Sequence, residues 1–276
     1  MYETVLRFAD QLSALTITII IFVIAALLFE KLRPADKNIP FFHRETKFEI
    51  MTAYMMVMIF WPLGKFAFDF LLLETLTHNF IHDTGLAVIG TWPAWLRFVT
   101  CLVALDLLIY AHHRFAHVFL WPFHAVHHDA KKVNWSTSWR FHPAEILLMI
   151  FDMAILLWIG FPADSILYAA FVVNIASNFN HFNTDLKWKG VMKYILVSPH
   201  FHRWHHALDQ KATDSNMCFV FPFIDLIFGT YYCPDEKPEE FGIFHKEMPD
   251  FFFSKWLYAF KWEGEQIRQL FSRHKK

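Results

Sequence analysis

The feature that most restricts what this chain can become is a series of apolar segments, too long for strands and interrupted by few charges. Three of them, about Ser13 to Phe29, about Phe48 to Leu73 and about Leu86 to Tyr110, are long enough to cross a bilayer, which takes roughly 20 residues of helix. A fourth, about Ile146 to Ser177, is too long for one crossing and carries "GFPADS" at Gly160 to Ser165. Glycine and proline there break the helix, so the segment reads as a hairpin of two short spans. The chain is 55% hydrophobic and only 18% charged, which places it on the membrane side of ordinary globular composition. The expected fold is an all-α integral-membrane bundle of about four to five spans. The first apolar run ends in the charged "FEKLRP" rather than a small-residue cleavage site, so it reads as a retained anchor, not a removable signal.

Sidedness follows from where the bases fall. The first loop holds Lys31, Arg33, Lys37, Arg44 and Lys47, whereas the second, "LLETLTHNFIHDTG", has none. The segment from His112 to Pro143 carries Arg114, Lys131, Lys132 and Arg140. The region after about Asn178 carries Lys187, Lys189, Lys193 and Arg203, and the hairpin tip has no base. With five spans, every basic segment faces the cytoplasm. A single tilted span in place of the hairpin would put the two sides of the sequence on opposite faces.

Into this apolar chain the sequence sets six histidines within seventeen residues, His112 to His128, and a second burst, "HFHRWHH", from His200 to His206. His113 and His117 are four apart and share one helical face; His124, His127 and His128 are spaced three and four, as are His202, His205 and His206. One HX3H and two HX2HH motifs thus supply eight imidazoles at metal-ligand spacing. Zinc takes three or four protein groups, so eight ligands imply two ions, held in a histidine-rich cap on the cytoplasmic side. Imidazole alone does not choose between iron, copper, nickel and zinc. A site at the ends of apolar helices is placed to meet a lipid tail, and an unactivated C–H bond calls for redox-active iron or copper.

Other classes fit less well. A metal transporter would line mid-bilayer helices with its histidines, a membrane cytochrome would use them as axial haem ligands, and a hydrolase would pair two zincs. There is no GxGxxG and there are only eight glycines, which argues against a built-in nicotinamide or flavin domain, and no haem domain is visible. A net charge of -1 without a basic block argues against nucleic acid. Cys101, Cys218 and Cys233 are too far apart for a metal knuckle and read as inert thiols.

The order "DLLIYAHHRFAH", "WPFHAVHH", "FHPAE", "NHFN", "SPHFHRWHH" and "DLIFGTYY" resembles the fatty acid hydroxylase superfamily, sterol desaturase type, over about Asp106 to Tyr232. The resemblance implies a membrane-embedded non-haem di-iron enzyme. It would use O2 to hydroxylate or desaturate a lipid C–H, with electrons from an external donor, a ferredoxin or small haem protein. It divides the chain into anchor spans over residues 1–100, a catalytic region over 101–235 and an interfacial or cytoplasmic tail over 236–276, in one structural unit. Carried onto this sequence, it makes metal ligands of His113, His117, His124, His127, His128, His202, His205 and His206, adds His181 from "NHFN", and brings in His142 from "FHPAE" as a ligand or a helix cap.

Asp106, two turns before His113 with Tyr110 between, is an acid within an apolar span, and both are expected to act at the centre. Asp129, Asn180, Asn216 and Asp225 are candidate supports for the ligands. His112 and His200 are expected to be structural, and Asp152 to pair with another helix. Where the family often has Asn-Tyr-Gly and Trp-Asp, this chain has Asn216-Met217-Cys218 and Ile224-Asp225. "FFFSKWLYAFKW", Phe251 to Trp262, reads as an interfacial or packing helix, and "EQIRQLFSRHKK" as a solvated tail.

Overall fold

The computed structural model describes residues 2–60, 62–63, 66, 86–244 and 247–273. Among these the fold is helical, with only two isolated bridges, Pro34 with Thr184 and Ala207 with Phe241. The long elements are α1 (Tyr2–Leu32), α2 (Thr46–Met55, continued by a π turn to Phe60), α3 (Ala94–Phe119), α4 (Trp121–His128), α5 (Glu145–Ile159) and α6 (Ala163–Asn180). Short α7 (Met192–Ile195), α8 (Pro199–His205) and α9 (Phe223–Phe228) precede the last helix, α10 (Phe252–Arg273).

The expected third span shifts along the chain. Leu86–Thr91 is a 3-10 turn, Pro93 sits with extended backbone ahead of the helix, and α3 then runs unbroken through His113 and His117. It is the one helix among the described residues long and apolar enough, by length and composition, to cross a membrane. The expected second span is described only in its first half, and the base-free loop with His78 and His82 lies outside the described residues, as do His245 and His274.

Gly160 closes α5 in the left-handed region, φ 97°, where a side chain would be strained, and Pro162 leads into α6. The two helices of the hairpin therefore return to the same end of the bundle. α3 packs on both through Cys101, Leu102, Leu105, Leu156, Ala169 and Val173. At the far end Arg97 donates to the Gly90 carbonyl at 3.1 Å and lies 3.9 Å from Asp164.

The near end is more elaborate. Buried Glu30, at the end of α1, accepts from the backbone N–H of Trp135 at 2.8 Å and of Asn183 at 2.9 Å, joining α1 to the loops after α4 and α6. His112 on α3 meets Asp152 on α5, the pairing with another helix expected of Asp152 and a hydrogen-bonding role for His112. The C-terminal stretch is helical, α10 continuing to Arg273. Trp256, Ala259 and Trp262 pack on Phe123, Ala125 and Val126, while Phe253, Leu257 and Phe260 stay exposed.

Candidate metal centre

The near end of the bundle gathers the histidines because three helix ends and one short helix converge there. α3 ends at Leu120, whose φ of -122° departs from the helix, and Pro122 opens α4 within its first turn. This bend turns α4 back, so that His124, His127 and His128 face His113 and His117. His181 is the C-cap of α6. α8 opens on Pro199 with the Ser198 hydroxyl accepting from the Phe201 N–H at 3.2 Å, and brings His202, His205 and His206.

Nine imidazoles form two groups. His113, His117, His124, His128 and His205 make one, and His127, His181, His202 and His206 the other; within each group the ligand nitrogens lie within 4.8 Å of one another. The groups adjoin, with the His128 and His206 rings stacked at 4.5 Å between centroids.

The protonation of most rings is fixed by what lies outside them. His113 Nδ1 is 2.8 Å from the Met217 carbonyl oxygen, His127 Nδ1 3.0 Å from that of Arg140, His181 Nδ1 2.7 Å from that of Ser177 and His205 Nδ1 2.8 Å from that of Ser215. A carbonyl only accepts, so each Nδ1 carries the proton and each Nε2 presents a lone pair. His117 and His124 make the same arrangement with carboxylates, Asp214 at 3.0 Å and Glu145 at 2.8 Å. Supports of this kind orient metal-bound imidazoles.

The inward nitrogens then converge on one another, and between His113 and His124 and between His127 and His181 the fixed tautomers leave no proton. His113 and His124 Nε2 are 3.0 Å apart, His181 Nε2 is 3.1 Å from His127 and from His206 and 3.0 Å from His202. His117 Nε2 and His205 Nε2 are buried without any hydrogen-bond partner. Converging lone pairs repel, and buried unpaired nitrogens cost free energy, unless a cation lies between them. The donor set thus fits two metal ions. Burial, reinforced by the neighbouring imidazoles, holds His127, His128, His202, His205 and His206 well below the ordinary 6.5, and burial lowers His181 to about 4. All six are neutral at pH 7, the state in which imidazole ligates.

Three residues singled out from the sequence are elsewhere. The His142 ring is outside both groups: its Nδ1 accepts from the Ala144 N–H at 3.0 Å and its Nε2 faces the Trp256 carbonyl at 3.3 Å. The buried Asp106 carboxylate accepts from the N–H groups of Phe219, Val220 and Phe221 at 2.7 to 3.2 Å. The Tyr110 hydroxyl lies between Thr230 and Arg114, and its ring stacks on Phe228. Both hold the 217–230 segment against α3 rather than touching an imidazole.

That segment explains the "DLIFGTYY" signature. Asp225 accepts from the N–H groups of Met217 and Cys218 and from the Thr230 hydroxyl, and Gly229, φ 72°, makes the left-handed turn between them. Asn216, itself at φ 58°, donates to the Phe201 and Tyr232 carbonyls. The backbone does the positioning, so the Met217 and Cys218 side chains can replace the family's aromatic and glycine without moving the carbonyl that holds His113. Asp129 and Asn180 also have partners away from the imidazoles, Arg140 and Lys255 for the first and the Phe219 carbonyl for the second.

Sequence reasoning missed Glu145, Asp214 and Arg140. Glu145 stood in the quoted "FHPAE", three residues after His142 and in the first turn of a helix; Asp214 and Arg140 carry no local signal.

Residues 98–230 match the family model described as fatty acid hydroxylase. The chain is 30% identical over 146 residues to an ornithine lipid hydroxylase of Rhizobium tropici, covering 52% of this chain and 44% of that protein. It is 27% identical over 154 residues to the human alkylglycerol monooxygenase, covering 53% and 33%. The Xenopus tropicalis alkylglycerol monooxygenase is 28% identical over 162 residues, covering 56% and 33%. The match thus spans less than half the length of these relatives. No solved structure matches. All nine clustered histidines lie within residues 98–230, the part of the chain that matches the fatty acid hydroxylase model.

Proposed function

We propose that this protein is a membrane-embedded, non-haem di-iron hydroxylase of lipids. The observation that carries the reading is the convergence of nine buried imidazoles, most with their outer nitrogen held by an acceptor, on two adjoining centres. Five ligands in one group exceed the four of a tetrahedral zinc site, which favours a metal of higher coordination number such as iron. Two iron ions would supply the reduction of O2 and the oxidation of an unactivated C–H bond: R–H, O2, two electrons and two protons give R–OH and water. The electrons come from an external donor, a ferredoxin or small haem protein.

The chain's own part is to hold the imidazoles neutral and oriented and to keep the centre dry. Asp214 and Glu145 fix the tautomers of His117 and His124, and burial of the other rings excludes bulk water. Hydroxylation is preferred to desaturation because the relatives are named a hydroxylase and a monooxygenase.

Membrane residence is supported by apolar side chains left exposed along the helices: Ile17, Ile20, Ile21, Ile24 and Leu28 on α1, Val99 and Leu107 on α3, Leu167, Phe171 and Ile175 on α6. Faces of this kind are buried only by lipid or by a partner. We count α1, α3 and the hairpin α5–α6 among the spans, with the apolar 48–73 segment as the expected crossing between α1 and α3. The basic first loop and the histidines lie at one end of the bundle, so that end is cytoplasmic by the positive-inside rule.

The test is lipid mass spectrometry of cells with and without the gene, grown under 18O2. The expected result is a lipid species, present only with the gene, heavier by one oxygen that carries the label. Absence of such a species, or oxygen drawn from water, would exclude the reading.

A further inference from the structure

A groove of about 740 Å³ is built from four stretches of chain: residues 34–39 after α1, Lys131 and Lys132 after α4, Arg203 and Leu208 from α8 and just beyond it, and residues 237–241 ahead of α10. Backbone bonds hold these stretches in place. The Ala35 N–H donates to the Asn183 carbonyl at 3.2 Å, and the Leu208 N–H to the Glu240 carbonyl at 2.8 Å. A concavity of this volume is the size of a small-ligand site.

Its charge is uneven. Lys37, Lys131, Lys132, Arg203 and Lys237 line it against Asp36, Glu239 and Glu240, a surplus of two positive charges. Lys237 is engaged, 3.3 Å from Asp185. Lys37, Lys131 and Lys132 are exposed, and among the described residues none of them forms an ion pair. Gly242, φ 129°, leaves room for Lys131: a Cβ there would stand 3.3 Å from its Cδ and from its Nζ.

Arg203 is the decisive residue. It is only 4% exposed, yet it forms part of the groove wall. Its guanidinium lies over the Phe241 ring, 4.7 Å from the centroid, and donates from Nη1 to the Val133 carbonyl at 2.9 Å. Glu30, Asp36 and Asp185 attract it from a distance, but among the described residues no carboxylate makes an ion pair with it. A buried cation without a contact partner is costly. The planar guanidinium fork matches the oxygens of a phosphate group, which would supply that partner.

From this geometry we infer that the groove binds a phosphate group, with Arg203 as its buried donor and Lys131 and Lys132 beside it. The site uses no imidazole of the two histidine groups and does not rest on the hydroxylase reading. Two sources offer the same chemistry. Residues 34–39 follow directly on α1, where a basic surface at the end of a span attracts the headgroup of an anionic phospholipid. A soluble phosphate ester would present the same oxygens to the same donors.

The experiment uses the full-length, metal-loaded protein in phosphatidylcholine nanodiscs. Inorganic phosphate is titrated by calorimetry in about 0.15 M salt, where attraction to exposed charges alone is largely screened. In parallel, native mass spectrometry detects phosphatidate carried out of nanodiscs that contain it. Saturable binding is expected: retained phosphatidate marks a headgroup site, and free phosphate alone marks a soluble ligand. Lys131→Gln with Lys132→Gln should weaken binding about tenfold or more, because charge-assisted contacts are lost. Lys189→Gln with Lys193→Gln, the same change of charge elsewhere on the surface, should leave it unchanged. Arg203→Lys keeps the charge but loses the fork, and should weaken binding by a factor comparable to that of the Lys131 and Lys132 pair. No saturable binding in either arm, or equal behaviour of the two lysine pairs, would overturn the site.

Discussion

His127 and Arg140 are bound to each other through the backbone: His127 Nδ1 donates to the Arg140 carbonyl at 3.0 Å, and the Arg140 guanidinium is buried in a nest of carboxylates. Glu45 is 2.8 Å away, Asp129 3.0 Å and Glu49 3.5 Å, and Lys255 of α10 also contacts Asp129. One residue thus sets the orientation of an imidazole and ties α2, α4 and α10 together.

Arg140→Leu leaves three carboxylates facing one another with a single cation, Lys255, to compensate. Removing one partner of a buried ionic cluster costs about 3–5 kcal/mol. The expected outcome is a large fall in thermal stability together with loss of metal from the four-histidine group; a variant as stable as the parent would remove Arg140 from this role.

The two carboxylates behind the imidazoles should differ. Glu145 is largely buried, its side chain 15% exposed, whereas that of Asp214 is 56% exposed. Loss of an outer support of this kind lowers metal affinity by about 10–100-fold. Glu145→Ala should fall in that range and Asp214→Ala well short of it, since solvent can replace the exposed partner. Competition titration with a chelator measures both, and equal effects would contradict the ranking.

Asp106 is expected to act by position and not by chemistry. Its carboxylate serves three backbone N–H groups, and Asp106→Ala strands them at about 1–3 kcal/mol. The loop that offers the Met217 carbonyl to His113 then loosens. Product formed per bound iron should stay near the parent value while iron content drops. A variant with full iron and no turnover would instead place Asp106 among the reacting groups.

How much of this was legible in the chain depends on the range of the contacts. Helical spacing marks His113 with His117 and the two HX2HH clusters because those relations are local, and "GFPADS" marks the hairpin because Gly160 needs its left-handed turn. Glu145, Asp214 and Arg140 meet their histidines across 21, 97 and 13 residues, with no period to show it. Asp106 has the same long reach. Its seven-residue spacing from His113 is real, but the side chain turns to amides 113 to 115 residues away. His142 sits in a histidine motif, yet Trp256 of a helix more than a hundred residues later captures its ring.

Acid should unfold the metal-free protein early. His181 is lowered to about 4, and five further histidines lie well below 6.5, so in the folded state they take up protons only at a lower pH than a free imidazole does. In the unfolded chain they protonate near 6.5, and the state binding more protons gains as pH falls. Stability is therefore full above about 6.5 and declines as pH drops from there towards 4. The Tm of chelator-treated protein at pH 7 and pH 5 checks this; an unchanged Tm would mean the imidazoles are not held neutral.

The most direct test of the central claim is the metal content of purified protein from iron-replete cells. Two groups of imidazoles predict about two iron ions per chain, with about one remaining in His205→Ala or in His206→Ala, each of which opens a different group. One ion per chain, or a full complement of zinc with no iron, would contradict the account.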